Sequence, residues 1–93
     1  MTVYVDAPVW KLGRMKMCHM TADSLTELHQ MADKIGVSRR HFQNKKPHYD
    51  ICKTKRALAI KQGAIEVSSK VIVEKVKQLQ VSLRSSVSAS PTS

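Results

Sequence analysis

The period of the apolar positions changes several times along the chain, and each change marks an element. Residues 2–5 are β-branched and aromatic, Asp6 comes next, and Pro8 follows closely. Proline cannot donate to a ladder and restricts the residue before it, so a first strand ends on Asp6. Residues 7–15, with Trp10 and Gly13, read as an irregular connection. Met15, Met17 and His19 then alternate with Lys16, Cys18 and Met20, which predicts a second strand over residues 15–20 with His19 at its end. Ser24-Leu25-Thr26-Glu27 is a capping box. Leu25, Leu28, Met31, Ala32 and Ile35 follow at helical spacing, and Gly36 supplies a left-handed C-cap.

Beyond Gly36 the elements are shorter. Residues 37–43 read as a charge-rich edge strand, residues 44–50 as a loop, residues 53–62 as a second helix ending at Gly63, and residues 64–67 as a last strand. Ser68 and Ser69 offer an N-cap for a third helix from Lys70 to about Gln80, with Ile72, Val76 and Leu79 on one face. Six of the twelve residues from Ser82 onward are serine, so the chain divides into a domain over residues 1–81 and a disordered tail over residues 82–93.

Strands and helices in this alternation predict a small single α/β domain with a short, largely parallel sheet and about three helices. Ligands of such sheets bind beyond the carboxyl ends of the strands. The predicted loops at that edge carry His19, Asp23 and Ser24, then His48, Tyr49 and Asp50, then Ser68 and Ser69. Helix N-termini there would favour a phosphate or carboxylate. Asp6 joins this group if the first strand is parallel to the others and leaves it if antiparallel. The short connection makes antiparallel pairing the default, but it can also span a crossover of roughly 30 Å, and both placements stay open.

Charge sharpens the picture. Sixteen Lys and Arg against seven acids give the 93-residue chain a formal charge of +9. Eight of those bases lie between Arg39 and Lys61 against the single acid Asp50. Lys45, Lys46, Lys53, Lys55 and Arg56 therefore surround Pro47-His48-Tyr49-Asp50 with a field that attracts polyanions, although a solvated surface would look the same. Cys18 and Cys52 lack zinc spacing and read as reduced thiols. No signal peptide and no apolar run of membrane-spanning length is present, so the expectation is a cytoplasmic protein without a membrane partner.

Taken together, Val5-Asp6 with Pro8 and Trp10, then His19, Asp23, Glu27-Leu28-His29, Phe42, His48-Tyr49-Asp50 and Gly63-Ala64 resemble an uncharacterised bacterial and phage family, domain of unknown function 4031, over about residues 2–80. The resemblance implies that Asp6, His19, His29, His48, Tyr49 and Asp50 belong to the family's shared pattern. It implies no reaction.

Three functions compete. The first is a module that binds a phosphate-bearing ligand, nucleic acid or nucleotide. There Lys45, Lys46, Lys53, Lys55 and Arg56 supply the field, His48 and Tyr49 touch the ligand, Asp50 orients His48, and Ser68 and Ser69 line the site. The second is a metal-dependent phosphoesterase or nuclease, with His19, His48, Asp50 and either Asp6 or Asp23 around a divalent ion, and His48, Asp50 and His19 as the catalytic candidates. The third is an interaction protein that binds another protein, its polar residues serving the fold.

Overall fold

The structure, a computed structural model, describes residues 2–7, 10–12 and 15–89, with side chains described for residues 2–7 and 16–83. Six strands and three α-helices are present among them: β1 Val3–Val5, β2 Trp10–Leu12, β3 Met15–Ala22, α1 Leu25–Ile35, β4 Phe42–Gln43, β5 His48–Cys52, α2 Lys53–Lys61, β6 Ile65–Glu66 and α3 Ser69–Ala89. The sheet runs β4-β5-β3-β1-β6, with β2 also paired to β3. Among the described residues only β1 and β6 pair in parallel; every other hydrogen-bonded pair there is antiparallel.

The chain is thus a small α/β domain, but its sheet is mixed and mostly antiparallel, which corrects the expectation of a largely parallel one. The crossovers explain the difference. Strands β3 and β4 run the same way on either side of α1, as do β5 and β6 on either side of α2. Strand β5, however, is inserted between the first pair, and β3 with β1 between the second.

Several elements differ from their expected form for local reasons. Residues 44–47 form the turn of a hairpin, and His48-Tyr49-Asp50 is not loop but the start of β5. Pro47, which cannot donate to a ladder, sits in the turn just before the strand begins. Residues 39–41 form a 3-10 turn, not a strand, because the Ser38 hydroxyl accepts from the Arg40 N–H; only Phe42 and Gln43 pair with β5. The connection before β3 contributes the short strand β2. Helix α3 starts as expected, with Ser68 Oγ accepting from the Val71 N–H at 3.2 Å, and continues past Gln80 to Ala89. Residues 90–93 lie outside the described residues.

Alternation along the strands separates two faces. Val3, Val5, Cys18, Met20, Ala22, Tyr49 and Ile51 share one face and are buried against Leu28, Met31, Ala32 and Ile35 of α1 and Ala59 of α2. Helix α1 begins at the Ser24 cap, whose hydroxyl accepts from the Glu27 N–H, and ends where Gly36 adopts φ 76°. Helix α3, with buried Ile72, Val76 and Leu79, covers part of the other face, which carries Met17, His19, Thr21, His48 and Asp50. Burial pushes the Cys18 thiol up to about 12, so it is an inert core group; Cys52 is also a free thiol.

Within the core face, His29 Nδ1 and the Tyr49 hydroxyl lie 2.6 Å apart, and Phe42 packs edge-on to His29 at 4.8 Å. Burial lowers the His29 pKa from its ordinary 6.5, so the unfolded chain takes up a proton before the folded one does. Stability contributed by neutral His29 is therefore lost as pH falls below the ordinary histidine range. We expect Tyr49→Phe to cost about 0.5–1.5 kcal/mol in urea denaturation. His29→Gln should lose less stability than the parent between pH 7 and pH 5, and an equal loss would contradict this assignment.

Candidate metal centre

The site arises from strand register. In the antiparallel pairing of β3 with β5, His19 stands directly opposite Asp50, and His48 lies two residues from Asp50 on the same face. The three side chains each present a ligand atom, and these atoms all lie within 4.8 Å of one another. The His19 and His48 rings are edge-on at a centroid distance of 5.4 Å. Thr21, two residues beyond His19, donates its hydroxyl to the Pro47 carbonyl at 2.9 Å and so fixes the turn from which His48 emerges.

Asp6 follows β1 and is wholly buried. One carboxylate oxygen accepts from the His19 backbone N–H at 2.7 Å, and the other lies 2.7 Å from His19 Nδ1. This bond makes Nδ1 the protonated nitrogen of a neutral His19, so Nε2 is the nitrogen with metal-ligating capacity. Burial is the largest influence on Asp6 and pushes its pKa up. The hydrogen bonds from His19, its positive charge once the ring takes a second proton, and the nearby Ser69 hydroxyl outweigh burial and hold the carboxyl below its ordinary 3.8. The same bond to Asp6 raises the His19 pKa against the opposing effect of burial.

His48 is held in a different way. Its Nδ1 faces the Lys46 carbonyl oxygen, and its Nε2 lies 3.0 Å from Asp50 Oδ1. A carbonyl only accepts, so Nδ1 carries the proton of a neutral ring. Nε2 would then direct a lone pair at a carboxylate oxygen. That approach is favourable only with a second proton or a metal cation between them. The 3.0 Å separation is that of an ion pair sharing a proton. The tetrahedral angle of a zinc centre would set two donors, each about 2.1 Å from the ion, about 3.4 Å apart, so the two side chains would part slightly to admit it.

The other candidate residues are dispersed. Asp6 stands behind His19 although β1 is antiparallel to β3. His19 sits in the middle of a strand longer than expected, not at its end, so the antiparallel partner delivers Asp6 to it. Asp23 is exposed and accepts from the Tyr4 hydroxyl at 3.0 Å, outside the cluster. Tyr49 is buried on the opposite face of β5 and cannot touch a ligand beside His48. Ser68 caps α3, and Ser69 contributes to the surroundings of Asp6.

The bases divide similarly. Lys45 and Lys46 lie in the turn beside His48. Lys53 is exposed at the start of α2, and Lys55 lines a neighbouring hollow with Gly36 and Val37 that Asp50 also borders. Arg56 is engaged internally, donating to the Asp6 carbonyl at 2.7 Å and to Glu66 at 2.6 Å.

Two contributors escaped the sequence reading. Thr21 carries no signal as a lone threonine in an alternating strand. The wall that α3 sets beside His19 and His48 could be found only by knowing that α3 packs on the polar face, since its apolar stripe does not say which face it covers.

A family model described as "Protein of unknown function (DUF4031)" matches residues 3–79. No curated protein and no solved structure matches the chain. No helix among the described residues is long and apolar enough to cross a membrane.

Because Asp6 bonds both the backbone and the ring of His19, Asp6→Asn should lower the stability of the metal-free protein by about 1–3 kcal/mol in chemical denaturation. A loss no greater than that of a surface substitution would show that the pair does not hold the two strands together.

Proposed function

Since the chain belongs to the family described as Protein of unknown function (DUF4031), which brings no reaction with it, we propose from the site's chemistry a divalent metal centre at His19, His48 and Asp50 that hydrolyses phosphoesters. The observation that carries this reading is the approach of His48 Nε2 to Asp50 Oδ1 while Nδ1 is committed to a carbonyl. A second proton on His48 or a bound cation in its place would complete that arrangement, and the convergence of His19 on the same pair favours the cation.

Two imidazoles and one carboxylate suit zinc, manganese or iron, and three protein donors leave coordination positions for water and substrate. Asp6 behind His19 and the Lys46 carbonyl behind His48 supply the outer hydrogen bonds that fix ring orientation and raise ligand basicity. Such an ion, when bound, lowers the pKa of water and polarises a phosphoryl oxygen. The chain's own share is to hold the rings, keep the His19 Nδ1–H donating to Asp6, and attract an anion through its net charge of +9.

A phosphate-binding module without chemistry is the second reading, supported by Lys45 and Lys46 beside His48. The dispersal of Lys53, Lys55 and Arg56 weakens it as a broad nucleic-acid face.

The tag-free protein should bind one zinc or manganese ion and melt at higher temperature in its presence. His48→Ala and Asp50→Ala should both abolish binding, while Asp6→Asn should weaken it by about 10–100-fold. Hydrolysis of a generic phosphoester should stop in chelator. Folded protein with no metal by elemental analysis and no shift in melting temperature would refute the proposal.

A further inference from the structure

A cavity of about 270 Å³ opens directly beside the candidate centre. One wall is His19 and His48; the facing wall is the apolar side of α3, formed by Ile72, Val73 and Val76. Lys46 from the β4–β5 turn and Lys77 from α3 line the same space. Gln80 donates its amide to the Lys45 carbonyl at 2.6 Å and so ties α3 to the turn, which sets the distance between the walls. None of these α3 residues is needed to build the His19, His48 and Asp50 cluster.

We propose that this cavity is a substrate subsite for small phosphomonoesters of a compact apolar or planar group, a nucleoside-sized organic moiety rather than a polymer. The inference rests on the metal reading for the position of the phosphoryl group and on the cavity itself for the organic group. Lys46 and Lys77 supply two ammonium groups for a dianionic phosphate, in addition to the metal's charge. The valine and isoleucine surface offers no hydrogen-bonding side chain, so it rewards the burial of apolar or π surface instead of reading polar groups. Size argues in the same direction. The space lies at or just below the lower end of small-molecule sites, about 300–1,000 Å³, which suits a single small organic group. A polymer would have to pass under α3, whose Ile72, Val76 and Leu79 are already packed on the sheet.

The test compares phenyl phosphate, inorganic phosphate, benzyl alcohol and an eight-residue oligothymidylate by calorimetry, using the full chain both zinc-loaded and in EDTA. Zinc-loaded protein should bind phenyl phosphate about tenfold more tightly than inorganic phosphate, because partial burial of the ring adds an apolar contribution. Lys46→Ala and Lys77→Ala should each weaken phenyl phosphate by about two- to fivefold. Val73 is 52% exposed, so Val73→Trp can fill the cavity without entering the core. That variant should lose the preference for phenyl phosphate while still binding zinc and inorganic phosphate.

Equal binding of phenyl and inorganic phosphate, a preference unchanged by Val73→Trp, or tighter binding of the oligonucleotide than of phenyl phosphate would overturn the subsite. Should zinc fail to bind, the metal reading falls by itself. The subsite is then judged in EDTA, where a phenyl phosphate preference removed by Val73→Trp supports it and no preference overturns it.

Discussion

The register between β3 and β5 is the constraint on which both halves of the molecule depend. It sets Cys18 against Ile51 and Met20 against Tyr49 on the face that packs under α1 and α2, and in the same stroke sets His19 against Asp50 on the other face. Side chains alternate strictly along a strand, so a slip of one residue would carry Tyr49 and Ile51 out of the core and His48 and Asp50 into it. Burial of the apolar set is therefore what assembles the polar set. No interaction among the histidines and carboxylates is required to bring them together.

Once assembled, the polar face is held by bonds that run across the sheet. Asp6 binds the backbone and ring of His19, Thr21 binds the Pro47 carbonyl, and Arg56 ties α2 to the end of β1 and to β6. A fully buried carboxylate such as Asp6 is costly unless paired, and His19 meets that requirement. Fixed rings and a satisfied outer carboxylate are what a metal centre needs before the ion arrives, since ligands that must reorganise bind weakly.

Much of this was legible in the sequence where the signal is local. The Ser24 cap, the Gly36 stop and the apolar spacing of α1 depend on neighbouring residues and appear as expected. So does the start of α3, because its serine cap is read from adjacent positions. Sheet pairing is not local. The strand-helix-strand order across α1 indicated a same-direction crossover, which is present, but nothing in that order reveals that β5 inserts between β3 and β4. It is β5, not the strand expected over residues 37–43, that runs the same way as β6.

The same limit governed the site. His19, His48 and Asp50 were legible as chemistry-bearing residues, and their meeting was expected at strand ends. They meet instead on the face of an antiparallel pair. The alternation of His48, Asp50 and Cys52 with Tyr49 and Ile51 was available as a strand signal, but Pro47 and three polar or aromatic residues in a row imitate a loop. Tyr49 was misassigned to the ligand for that reason, since only a strand forces it to point away from its neighbours. The most direct measurement is X-ray absorption at the metal edge of zinc-loaded protein. The account predicts two imidazole nitrogens and oxygen donors at about 2.0–2.2 Å, with imidazole scattering reduced in His48→Ala. A first shell of oxygen alone, or of sulfur, would contradict it.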